Sequence, residues 1–147
     1  PVDGIVLPAI AMTSDKDQCS FLNEAGRCSI HMFRPGFCRL FPLGRVYDGT
    51  GFSYFLQTGQ CKKEHLAKVK VRQWINIPEL KRYEQFVCDW HYFLKDLAKT
   101  SQGLSPELIK TLHSYILKVF YLTPYQDGSD FYDQFYMRLN DAKKLFL

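Results

Sequence analysis

Apolar residues recur at three- and four-residue steps through the second half of the chain: Leu80, Tyr83, Val87, Trp90, Leu94 and Leu97. That period lines one face of an α-helix. Pro78 suits its first turn with Asn76 near the cap, and Thr100 to Gly103 closes it. A second stripe, Leu108, Leu112, Tyr115, Val119 and Leu122, follows Ser105-Pro106-Glu107. Those three residues supply an N-cap, a first-turn proline and a first-turn carboxylate, and Thr123-Pro124 ends the helix. Asp127-Gly128-Ser129 opens a third helix, with Phe131, Phe135, Leu139, Ala142 and Leu145 on its apolar face.

The first half has no such period. Pro8 interrupts the apolar run GIVLPAIAM, which predicts a short strand or extended segment followed by a polar loop. Residues 19–45 are dense in turn signals, from Asn23 to Gly26 and again at Arg34-Pro35-Gly36, where Pro then Gly suits a type II turn. Asp48-Gly49-Thr50-Gly51 reads as a turn, Phe52–Leu56 as a strand, and Ala67–Ile75 fits strand or helix equally. The fold expected is α-rich α+β: a loop-dominated cysteine module with minor β, packed against about three C-terminal helices. We expect one domain over 1–147, with residues 1–65 as the cysteine segment and 66–147 as helical support.

Composition changes this picture little. At 147 residues and 46% hydrophobic the chain has enough apolar surface for a core, which argues against disorder. The 16% aromatic share lies largely at helical spacing, so it reads as core before it reads as a base-stacking surface. The net charge of +4 is dispersed except from Lys62 to Arg72, where alternation with Glu64, Leu66 and Val69 suits a solvated face better than a nucleic-acid patch. No apolar run reaches the length of a membrane span. The start shows no signal-peptide pattern, and Pro1 in place of methionine fits removal of an upstream piece.

The cysteines carry the chemistry. Cys19, Cys28 and Cys38 lie in one segment beside turns, Cys61 follows, and Cys88 sits on the first long helix. An odd count of five fits reduced cysteines of a cytoplasmic protein better than a disulfide framework. Thiolates bind soft and borderline metals, and four of them suit tetrahedral zinc or an iron–sulfur cluster. Arg27, Arg34, Arg39 and Arg45 crowd the same stretch. Guanidiniums there would offset the negative charge of a thiolate site and donate to sulfur. The plain alternative is solvated arginines around small buried hydrophobic cysteines. Spacing alone does not decide, because no C-x2-C pair occurs.

The run Cys19-x8-Cys28-Ser29-Ile30, then Arg34-Pro35-x2-Cys38-Arg39-x-Phe41-Pro42-Leu43-Gly44-Arg45, resembles the YkgJ-like cysteine-cluster family, a zinc- or iron-chelating domain. Cys61 also matches a family cysteine. The resemblance is specific over about residues 1–65. It implies a metal site built from Cys19, Cys28, Cys38 and Cys61. Family members carry an upstream CxxCxxCC group that residues 1–18 do not contain, so that group either precedes Pro1 or is missing from this member. His31 stands where the family often has tyrosine, which sets it aside as a ligand.

Cys88, His91 and Glu84 share one helix face, which makes Cys88 and His91 secondary ligand candidates against the commoner reading of a helix-core cysteine. P-loop, HExxH, GxSxG and GxGxxG patterns are absent. The function expected is metal binding, with zinc or iron, including an iron–sulfur cluster, as the cofactor. Two other classes stand beside it: an aromatic-rich protein-interaction module, and part of a metal-dependent protein-modifying enzyme.

Overall fold

A computed structural model describes residues 4–13, 18–60 and 67–147. Cys61, the start of the Lys62–Arg72 stretch and part of the polar loop before Cys19 lie outside them. The architecture is α-rich α+β, with five α-helices and one two-stranded antiparallel sheet among the described residues. The chain divides into two compact units, one of residues 10–84 and one of residues 1–9 with 85–147.

In the unit of residues 10–84, a 3-10 turn at His31–Phe33 precedes helix α1 (Gly36–Leu40). Strands β1 (Leu43–Tyr47) and β2 (Phe52–Leu56) pair in register Leu43↔Leu56 through Tyr47↔Phe52. The turn between them forms as expected. Asp48 Oδ1 accepts from the Gly51 and Thr50 amides at 2.8 and 3.1 Å, and these bonds hold its exposed carboxyl below the usual range. Gly44 lets the Phe55 ring lie across β1, where any Cβ would collide with it. The ambiguous stretch before Ile75 is helical over Val71–Ile75 (α2), and Asn76 ends it in the left-handed conformation with φ 48°. Leu40 and Ile75 are the buried apolar residues here.

Pro35-Gly36 does not make a type II turn. That turn needs positive φ at its third residue, and Gly36 instead enters α1, with the Cys38 and Arg39 amides donating to the Pro35 carbonyl. Glycine is required there for another reason: the Tyr83 side chain fills the space a Cβ would occupy.

The unit of residues 1–9 and 85–147 is helical. Helix α3 spans Leu80–Thr100, and its first turn belongs to the other unit. Helix α4 runs Pro106–Ile116, capped by the Ser105 hydroxyl accepting from the Leu108 amide. Helix α5 runs Phe131–Phe146, capped by Asp130 accepting from the Asp133 amide at 3.0 Å. The expected stripes shift in detail. Phe93, Ile116 and Phe120, outside those stripes, are buried, whereas Leu108, Leu122 and Leu145 are exposed. The cause after α4 is a π-helical segment at Leu117–Leu122, whose wider turn breaks the 3.6-residue period. Ile5 is wholly buried in the same core, among Phe93, Leu97, Leu112 and Leu139.

Candidate metal centre

Short-range hydrogen bonding places each cysteine of the N-terminal segment. Cys19 bridges Met12 across a loop closed by the Thr13 amide donating to Gln18 O at 2.7 Å. Cys28 bridges Leu22 across a tight turn. Asn23 organises that turn, its Oδ1 accepting from the Ala25 and Arg27 amides, and Gly26 supplies the φ of +69° that the turn needs. Ser29 locks the far side, donating to Phe21 O through both amide and hydroxyl. Cys38 lies in α1, held by the proline-led first turn.

The three cysteines are half-buried free thiols. They are near enough to interact electrostatically. Burial raises the Cys38 thiol above its usual range, the charges of Cys19 and Cys28 raise it further, and the Arg34 guanidinium opposes them. Arg34 Nε is buried and has no hydrogen-bond partner among the described residues. A thiolate or a metal-bound sulfur is the acceptor such a donor fits. Among the described residues no three His, Cys, Asp or Glu side chains stand arranged to hold a metal ion. The sequence candidate for a further ligand, Cys61, lies outside those residues.

The other arginines are used differently. Arg39 donates to three backbone carbonyls, Arg34 O at 3.1 Å, Met32 O at 3.1 Å and Asn76 O at 3.3 Å, so it ties the segment around α1 to the end of α2. Arg45 lies among the rings of Phe52, Tyr54 and Tyr83, 5.1, 5.8 and 5.4 Å from their centroids, and donates to the Tyr83 hydroxyl at 3.1 Å. Such contacts suit a guanidinium. Tyr54 in turn donates to Glu84 at 3.0 Å. Arg27 is exposed, as is His31. Tyr83 and Tyr54, which fix Arg45, were not evident as site residues; Tyr83 reads from sequence as one more member of the α3 stripe. Cys88 is buried in α3 and His91 is half-buried with its ring 5.1 Å from that of Tyr92. Both belong to the helical unit, whereas Cys19, Cys28 and Cys38 belong to the other.

Residues 7–62 match the family model CxxCxxCC, described as "Putative zinc- or iron-chelating domain". The match agrees with the cysteine-cluster resemblance of the sequence and contains Cys19, Cys28, Cys38 and Cys61. No curated protein and no solved structure matches the chain.

Proposed function

We propose that this protein binds zinc or iron through thiolates of Cys19, Cys28, Cys38 and Cys61. The observation that carries the reading is a set of three free, half-buried thiols, with Cys19, Cys28 and the Arg34 guanidinium near enough to Cys38 to act on its charge, inside a segment that matches a chelating-domain model. Thiolate is the natural ligand for zinc and for iron in clusters. Four of them around Zn²⁺ leave a net charge of about −2. Arg34 would offset that charge, and its buried, unpartnered Nε–H would donate to a metal-bound sulfur. Arg39 and Arg45 support the site indirectly, by fixing α1 and β1. A bound metal would tie together backbone segments otherwise joined by only a few hydrogen bonds, so that part of its binding energy becomes folding energy.

The test is metal analysis by mass spectrometry with an absorption spectrum, on full-length protein purified anaerobically. Zinc or iron in fixed stoichiometry, lost together in Cys19→Ser, Cys28→Ser and Cys38→Ser variants, is the expected result. A visible charge-transfer band identifies thiolate-bound iron, acid-labile sulfide with it identifies an iron–sulfur cluster, and a colourless zinc protein excludes one. Protein that binds neither metal after reconstitution, and forms one specific disulfide reversibly, would overturn the reading.

A further inference from the structure

The helical unit holds a second feature, independent of the metal. Trp90 and Phe86 of α3, Phe120 and Tyr121 of the π-helical segment, and Phe131 of α5 wall an open-mouthed cleft of about 130 Å³. Phe135 and Tyr125 complete a lining made wholly of aromatic residues. We infer that this cleft is a binding site for a small, neutral aromatic molecule of one ring.

Two observations point to it. The first is the π-helical segment Leu117–Leu122. Such segments are rare and concentrate at functional sites. The segment carries two successive residues of the cleft wall, Phe120 and Tyr121. The turn is held open deliberately. Arg138 donates to the carbonyls of Val119, Thr123 and Pro124, at 2.6, 2.9 and 2.7 Å, satisfying backbone groups at the end of the segment.

The second is size and charge together. Drug-sized ligands occupy pockets of about 300 Å³ or more, whereas an engineered apolar cavity of about 150 Å³ takes benzene. A volume of 130 Å³ therefore selects a single ring. Aromatic cages also hold quaternary ammonium ions, but no carboxylate lines this one. The Arg138 guanidinium works against such a guest, since it lies 3.9 Å from the centroid of the Tyr125 ring. The Trp90 and Tyr121 rings meet edge to face within the wall, 6.2 Å between centroids.

Fluorine NMR of fluorobenzene with the full-length protein tests this. We expect saturable line broadening, displacement by benzene, and Overhauser contacts from fluorobenzene to the Trp90 indole. Phe131→Trp, at a partly exposed position, fills the cleft and should weaken binding about tenfold or more, whereas Tyr115→Phe, which packs on Phe146 outside the cleft lining, should retain it. Tetramethylammonium should not compete. The Overhauser contacts need no variant, so the test stands even if Phe131→Trp perturbs folding. Absence of saturable broadening, contacts to Trp74 rather than Trp90, unchanged binding by a folded Phe131→Trp, or competition by tetramethylammonium would each overturn the inference.

Discussion

The Tyr83 side chain occupies the place where a Cβ at position 36 would sit, so Gly36 and Tyr83 are interlocked. The contact joins the first residue of α1, the helix that carries Cys38, to the first turn of α3. Because Tyr83 also accepts from Arg45, displacing it disturbs the arginine as well.

Gly36→Ala should therefore destabilise the protein by about 1–3 kcal/mol, the usual cost of forcing a group into filled space. Denaturant midpoints measure this. Trimming the obstruction in Gly36→Ala/Tyr83→Ala should recover part of the loss relative to the sum of the single variants. Strict additivity would show that the two residues do not meet.

Chelation should expose Cys19, Cys28, Cys38 and Cys61 to alkylation together, since one metal would protect them all. Cys88 should stay protected until the helices unfold, because it is buried in α3. Mass spectrometry of the alkylated peptides reads the order. Reaction of Cys88 in step with the other four would bring it, and His91 with it, into the metal site.

Phe93, rather than Trp90, should be the costliest aromatic on α3. It is 1% exposed, whereas Trp90 is only partly buried. Phe93→Ala should cost about 3–5 kcal/mol and Trp90→Ala less, measured by thermal or denaturant unfolding. An equal or larger loss at Trp90 would contradict this packing.

Burial and the hydrogen bond to Glu84 push the Tyr54 phenol up to about 12, from an ordinary 10.0. The folded protein then retains a proton that the unfolded chain has released. Tyr54 contributes its full share of stability below about pH 10 and loses it as pH rises toward 12. Stability measured across that window should fall less steeply in Tyr54→Phe. Tyr115, Tyr121 and Tyr125 are also raised, so the fall should not vanish. An unchanged slope would show that Tyr54 is not held by Glu84.

What could be read in advance follows the range of the interactions concerned. Helices α4 and α5 announced themselves through local signals, a serine cap before Pro106 and polar residues around Asp130 before Phe131, whereas α3 starts at Leu80 after Pro78, and Asn76, expected near its cap, ends α2 instead. The π-helical segment did not, because its sequence LKVFYL continues a helical pattern and Arg138, which helps secure its end, lies far along the chain. Strand β1 went unseen because Gly44 and Arg45 look like loop residues until Phe55 and Tyr83 supply their reasons. The cysteines stood out by type and motif. The nearness of Cys19 and Cys28 to Cys38, and the separate work of Arg34, Arg39 and Arg45, depend on contacts that spacing alone does not encode.

Ile5 is wholly buried among side chains of α3, α4 and α5, while the chain between it and Gln85 builds the other unit. Seen from the helices, residues 10–84 are one long loop whose two ends must be brought together before Ile5 can dock. The entropy of such a closure grows only with the logarithm of loop length. It falls further when the loop is already folded and its ends are no longer free to wander. A metal that orders the cysteine segment would then favour closure of the helical core. The helices of a metal-free protein should accordingly lose cooperativity first at Ile5, which amide exchange of residues 4–9 against α5 would register.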